Sequence, residues 1–170
     1  MVFWKRLGVI FLVSLCCIGC DRASKRMASK HLAGHSVSSH FNDMVRLGYT
    51  ENRGAFLGLG KDLPEKTRFL IFTVVVGVFL AGLLAYLVFS IPQNSYTLIA
   101  LSCIFSGGVS NFLDRAMNSG AVIDFLNVGI GPLRTGVFNI ADMAIIFGAV
   151  LFFLASVGDD ETETSSGLPD

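Results

Sequence analysis

Four long apolar runs dominate the chain, at roughly residues 3–20, 69–89, 96–113 and 137–157. A helix needs about 20 mostly apolar residues to cross a hydrocarbon core, and each run meets or nearly meets that length. Lipid offers no partner for backbone N–H and C=O groups. A segment that crosses it must therefore pair them internally, and four spanning helices are expected. Over half of the 170 residues are apolar and 15% are charged, a membrane composition. The length fits one domain, read as residues 1–158. Residues 159–170 are acidic and rich in Ser and Thr, and are expected to form a disordered tail. Net charge is zero and no Lys/Arg-rich tract appears, so nothing suggests a nucleic-acid footprint.

The connections carry their own pattern. Val45-x-Leu47-x-Tyr49 alternates as a short strand does, inside the polar segment 21–68. Val122-Ile123-Asp124-Phe125 reads as an extended stretch, followed by a loop punctuated by Gly129, Gly131 and Pro132. Apolar neighbours on both sides of Asp124 suggest a re-entrant or interfacial stretch packed back on the helices. Orientation is contested by the charges. Lys5 and Arg6 favour a cytoplasmic N-terminus, yet 21–68 holds nine basic residues and would then face outward.

The stretch Leu15-Cys-Cys-Ile-Gly-Cys20-Asp21 admits two readings. A basic start, an apolar run and small residues before a cysteine fit a lipoprotein-type signal peptide, with Cys20 lipidated. The same residues fit the end of a first membrane helix, where small side chains favour close packing. Cys16, Cys17, Cys20 and Cys103 all lie in or beside apolar runs, and Cys17-x-x-Cys20 has no second pair to complete a zinc site. His31, His35 and His40 are loosely spaced in a polar loop, so no metal is expected.

Ionisable residues at membrane depth are costly and point to function. Asp114, Asp124 and Asp142 each adjoin apolar sequence. On a helix, Asn111, Asp114 and Arg115 share one face, as do Asn139 and Asp142. Helix capping accounts well for Asn139 and less well for Asp142, which runs straight into Met-Ala-Ile-Ile-Phe. Two carboxylates in a low-dielectric site cannot easily both ionise and can share a proton. Such a pair can activate water without metal or covalent intermediate. No G-x-S-x-G elbow supports a serine nucleophile.

Five motifs then fall in order: Asp21-x-x-x-Lys25, Asn52-x-Gly54-Ala-Phe56, Asn111-x-x-Asp114-Arg115, Val122-Ile-Asp124-Phe125 and Phe138-Asn139-x-Ala141-Asp142. The set resembles the lipoprotein signal peptidases, or type II signal peptidases, over residues 5–155. The resemblance implies a membrane α-helical fold of four transmembrane helices, with a small β-sheet platform on the outer face. It implies an intramembrane aspartyl endopeptidase with Asp124 and Asp142 as the dyad and no cofactor. Asp114 would be a structural aspartate pairing near Arg115. Asn111, Arg115 and Asn139 would line the site, Asp21 and Lys25 would brace it, and Asn52 and Gly54 would approach the substrate. The implied substrate is a diacylglyceryl-modified prolipoprotein, cut before its lipidated cysteine. Membrane lipids and the inhibitor globomycin are the other implied partners. The implied location is the bacterial inner membrane, with both termini cytoplasmic and the active site near the outer face. Two departures stand out: one residue fewer between Gly54 and Phe56 than is common, and Ser110 where glycine often precedes the asparagine. A lipid-anchored protein without activity, or a proton- or ion-conducting subunit, are the rival readings. The first turns on Cys20, the second on ion flux through the three aspartates.

Overall fold

The structure is a computed structural model. It describes residues 3–55, 59–90 and 94–166, those after Val157 as backbone only. Four helices carry the fold: α1 (Phe3–His31), α2 (Glu65–Phe89), α3 (Ser95–Met117) and α4 (Ile140–Ser166). All four contain a window long and apolar enough to cross a membrane, ending at Val157 in α4. Four strands, β1 (Ser38–His40), β2 (Val45–Asn52), β3 (Val122–Ile130) and β4 (Leu133–Arg134), form one antiparallel sheet in that order.

The bundle is built around α3. Some 44% of its apolar window is buried, against 11% in each of the other three. It packs against α1, α2 and α4. Outward surfaces such as Phe11, Leu12, Val78, Phe79, Phe147 and Phe153 stay exposed, as lipid-facing side chains do. The buried face of α3 is small and polar, with Ser102, Ser106 and Ser110 one turn apart. Ser102 donates to the Leu98 carbonyl at 2.7 Å, Ser106 donates to the Ser102 carbonyl at 2.5 Å, and Ser106 Oγ accepts from Ser14 of α1 at 2.9 Å. Gly107 and Gly148 let α3 and α4 approach closely. A Cβ on Gly148 would lie 2.5 Å from the Ala100 carbonyl oxygen. At the end away from the sheet, Ile10, Leu87 and Leu98 form an apolar cluster. There Arg6 caps α2, donating to the Ser90 carbonyl at 2.6 Å and to Ser90 Oγ at 2.7 Å. The residue that read as an orientation signal is thus also a buried structural one.

Element edges differ from the sequence expectations for local reasons. The apolar character of the first run ends at Cys20, with continuation past Asp21 left open by the sequence, and α1 continues to His31. Its 29 residues extend about 43 Å at 1.5 Å each, well beyond a bilayer core. The extra turns hold because Asp21 and Lys25 find buried partners rather than lipid. The fourth run is expected from Val137, but α4 begins at Ile140. Phe138 is drawn into an antiparallel bridge with Leu126, and Asn139 occupies the capping position. The expected loop after Phe125 is mostly strand. β3 runs on to Ile130 and turns through Gly131, at φ +55°, into β4. Near its start, α2 passes through a π-helical stretch, Leu70–Val75.

Candidate active site

Three elements meet at the sheet end of the bundle: the last turn of α3, the first turn of α4 and the start of β3. Strand β3 is held in place by its pairing with β2. The register slips between Leu47 and Thr50, where three steps on β2 oppose two on β3. This bulge sets Asp124 opposite Thr50 and Val122 opposite Asn52. Asn52 is then a diagonal neighbour of Asp124 and donates to its Oδ2 at 2.9 Å. The other edge of β3 faces the helices. The Ile123 N–H donates to Asp114 Oδ2 at 3.2 Å, and the Ile123 carbonyl accepts from Asn139 Nδ2 at 3.3 Å.

Asn139 and Asp142 form a reciprocal capping box at the start of α4. The Asp142 N–H donates to Asn139 Oδ1 at 3.0 Å, and the Asn139 N–H donates to Asp142 Oδ2 at 3.2 Å. Capping therefore accounts for both residues, while leaving Asp142 Oδ1 to accept from Asn111 Nδ2 at 2.8 Å. Of these two amides, Asn139 also reaches the other carboxylate. Asn139 Nδ2 donates to Asp124 Oδ1 at 2.6 Å and contacts Asn111 Oδ1 at 3.2 Å. Asp124 and Asp142 are thus linked through Asn139 and Asn111, and Asp124 is 1% exposed. Desolvation pushes the Asp124 carboxyl up to about 6. The Asp142 charge adds to that rise, while the Asn52 and Asn139 amides and the Lys25 ammonium oppose it.

Beneath this pair lies a buried ionic cluster. Lys25 sends one N–H each to Asp21 Oδ2 at 2.7 Å, Asp114 Oδ2 at 2.8 Å and Asn111 Oδ1 at 2.9 Å. An ammonium has three donors, so Lys25 is fully satisfied. Asp21 also accepts from Ser110 Oγ at 2.6 Å and from the Ala141 N–H at 2.8 Å, joining α1, α3 and α4. Asp114 corrects one expectation: it pairs with Arg22 and Lys25 of α1, not beside Arg115. The helix turn carries Arg115 the other way, where Nη2 donates to the Gly54 carbonyl at 2.9 Å. Its guanidinium lies 5.7 Å from the centre of the Phe72 ring. Arg115 Nε is buried with no hydrogen-bond partner among the described residues. Gly54 itself sits in a turn tied by Asn52, whose Oδ1 accepts from the Gly54 N–H at 2.9 Å. Phe56 lies outside the described residues.

Every site residue singled out in the sequence reading is therefore in or beside this one site. Two partners escaped that reading. Arg22 stands three residues before Lys25 and next to Asp21, and that basic spacing on a helix face was the available signal. Ser110 read only as a departure, and its hydroxyl proves to be a ligand of Asp21. An open groove of about 470 Å³ reaches Asp124 between Asn52, Arg53, Arg68 and Val137. No group of three His, Cys, Asp or Glu is placed to hold a metal ion among the described residues. Cys20 lies within the continuous helix α1, directly before the buried Asp21.

A family model described as signal peptidase (SPase) II matches residues 13–158. A lipoprotein signal peptidase of Caldanaerobacter subterraneus subsp. tengcongensis is 36% identical over 135 residues, 77% of this chain and 83% of that protein. Its namesake from Chlorobium phaeobacteroides is 36% identical over 157 residues, 87% of this chain and 95% of that protein. Among solved structures, a bacterial membrane enzyme determined by the in meso method superposes with a TM-score of 0.79. It is 23% identical, and the match covers 96% of this chain and 93% of that one. That last likeness supports the fold.

Proposed function

Because the chain belongs to the signal peptidase II family, and is thereby a multi-span membrane protease, we propose that Asp124 and Asp142 form an aspartyl dyad. The dyad removes signal peptides from bacterial prolipoproteins whose lipobox cysteine carries a diacylglyceryl group, cutting just before that cysteine. The supporting observation is the pair of amides that ties the two carboxylates together: Asn139 reaches both, and Asn111 holds Asp142 while meeting Asn139.

In this mechanism the pair shares one proton. The ionised member takes a proton from water as the water oxygen attacks the scissile carbonyl carbon. The protonated member gives its proton to the carbonyl oxygen. The tetrahedral diol then collapses: the C–N bond breaks, the leaving amine takes the proton that came from water, and a diol hydroxyl returns its proton to the other member, so the pair again shares one proton. A carboxyl raised to about 6 by burial suits the acid role near neutrality. The peptide would enter the groove at Asp124, which Asn52, Arg53 and Arg68 also line. The substrate lipid would hold the scissile bond at the interface, so specificity comes partly from where the bond is presented.

The sheet and dyad are assigned to the outer face of the inner membrane, with both termini cytoplasmic. A third of the nine basic residues that oppose this orientation are locally neutralised: Arg22 and Lys25 by Asp21 and Asp114, and Arg46 by Asp43. Globomycin is expected to compete at the same groove. The test is cleavage of a diacylglyceryl-modified lipobox peptide by the detergent-purified protein. Wild type and Cys20→Ser should cut it, and Asp124→Asn and Asp142→Asn should each lose at least a thousandfold in rate. Folded wild type that cuts nothing, or Asp→Asn variants that cut normally, would refute the dyad.

A further inference from the structure

Arg22, Arg26 and Lys30 recur every four residues on the last turns of α1. At 3.6 residues per turn they form one stripe along the helix. With Lys25, Ser29 and Ile123 they line a cavity of about 330 Å³ between α1 and β3. Two of its four cations are already engaged: Lys25 is saturated, and Arg22 is held by Asp114. Arg26 and Lys30 are exposed and make no ion pair among the described residues. Glu51 on the neighbouring strand accepts from the Tyr49 hydroxyl at 3.1 Å and makes no ion pair among the described residues. Like charges one turn apart repel, and Arg26 and Lys30 have no counter-anion among the described residues.

Its depth indicates which anion is at hand. The stripe begins two residues after the apolar run ends at Cys20, where α1 leaves the hydrocarbon. Phosphates of lipid headgroups lie at that level. Beside the cavity, Met117 is 68% exposed, with its sulfur 3.9 Å from Arg22 Nη2, so apolar surface adjoins the charge. We propose that this groove binds the phosphate of an anionic phospholipid, with Arg26 and Lys30 on the phosphate and an acyl chain running along Met117. The site is separate from the groove at Asp124, and neither cation touches the carboxylate pair. It also gives a use to basic residues that stand against the charge bias of the orientation adopted above.

Native mass spectrometry of the full chain, released from mixed micelles, reads the binding directly. The protein should retain phosphatidylglycerol in preference to phosphatidylcholine. Arg26→Gln/Lys30→Gln should weaken that retention about thirtyfold, from about 1 kcal/mol per basic residue at an anionic lipid surface. Each single variant should weaken it about fivefold on the same basis, and a Lys5→Gln/Lys66→Gln control should lose little. Equal retention of the two lipids, an unaffected double variant, or a control that loses as much would overturn the proposal. So would displacement of the lipid by millimolar inorganic phosphate, which would make this a free-anion site.

Discussion

Replacing Lys25 by Met tests the ionic cluster under the proposed dyad. Lys25, Asp21 and Asp114 are all within 2% of full burial, and Arg22 completes a neutral set of two cations and two anions. The substitution preserves the stem's volume and removes the charge, leaving that set with a net negative charge in a desolvated site. Breaking a buried pair in this way costs about 3–5 kcal/mol. For a chain of this size that is a fall of about 10 °C in Tm. Unfolding in detergent can be followed by a thiol-reactive dye, because Cys103 is buried and becomes reactive on opening. Asp21→Asn on top of Lys25→Met should recover part of the loss. Asp21 retains Ser110 and the Ala141 N–H as partners, but an Asn there carries no unpaired charge.

The same variant has a second readout. The Lys25 ammonium helps hold the Asp124 carboxyl down against desolvation. Its loss should let Asp124 rise further above 6, so the alkaline limb of the pH–rate profile should move to higher pH. An additive double mutant, a Tm within about 2 °C of wild type, or an unmoved alkaline limb would each refute the reasoning, since each would mean that this ammonium does not hold these carboxylates.

Two further predictions rest on separate contacts. Asn52→Ala removes an amide that lowers Asp124 and also unties the Gly54 turn; kcat/KM should fall about 10- to 100-fold, the loss expected of about 1–3 kcal/mol from one hydrogen bond, with the alkaline limb again displaced upward, as a pH–rate series on the lipopeptide would show. Gly107→Ala would push a Cβ into the Ala141 carbonyl and Ile145, whereas a Cβ at Gly82 would meet nothing within 4 Å. Overpacking at Gly107 should cost about 1–3 kcal/mol in the same dye assay, and Gly82→Ala should be close to neutral.

How much of this was legible in the sequence depends on the distance over which each signal acts. The spans are written in runs of about twenty apolar residues, so their number follows from hydropathy alone. Their edges do not, because Asp21 and Lys25 are tolerable inside α1 only when Asp114, Asn111 and Ser110 are there to meet them. The helix-local pairing of Asn139 with Asp142 was visible as an i, i+3 spacing. The β-bulge that sets Asp124 beside Asn52 was not, since it depends on a register between strands some seventy residues apart. Arg115 illustrates the same limit. Its neighbour Asp114 was the obvious partner by sequence, but adjacent helical positions point about 100° apart, and the two side chains serve different sides of the site.

Those two sides account for the choice of residue types. A cation placed directly on a carboxylate favours its ionised form and lowers its pKa, which would oppose proton sharing by a dyad. The fold brings cations close, since Lys25 and Arg22 are needed to bind α1 to α3. It spends Asp21 and Asp114 on them, and what touches Asp124 and Asp142 directly is neutral: the amides of Asn52, Asn111 and Asn139 and the Asn139 backbone. Asn111 stands at the boundary, with its oxygen toward Lys25 and its nitrogen toward Asp142. An amide presents an acceptor on one side and a donor on the other, so it can pass the ammonium's polarity to the carboxylate without its full charge. An Asp at 111 would set a further acid between Lys25 and the pair, and a Leu would leave both the ammonium and Asp142 one partner short. Asparagine is the side chain of this length that lets a charged brace sit beside the proposed proton-sharing pair.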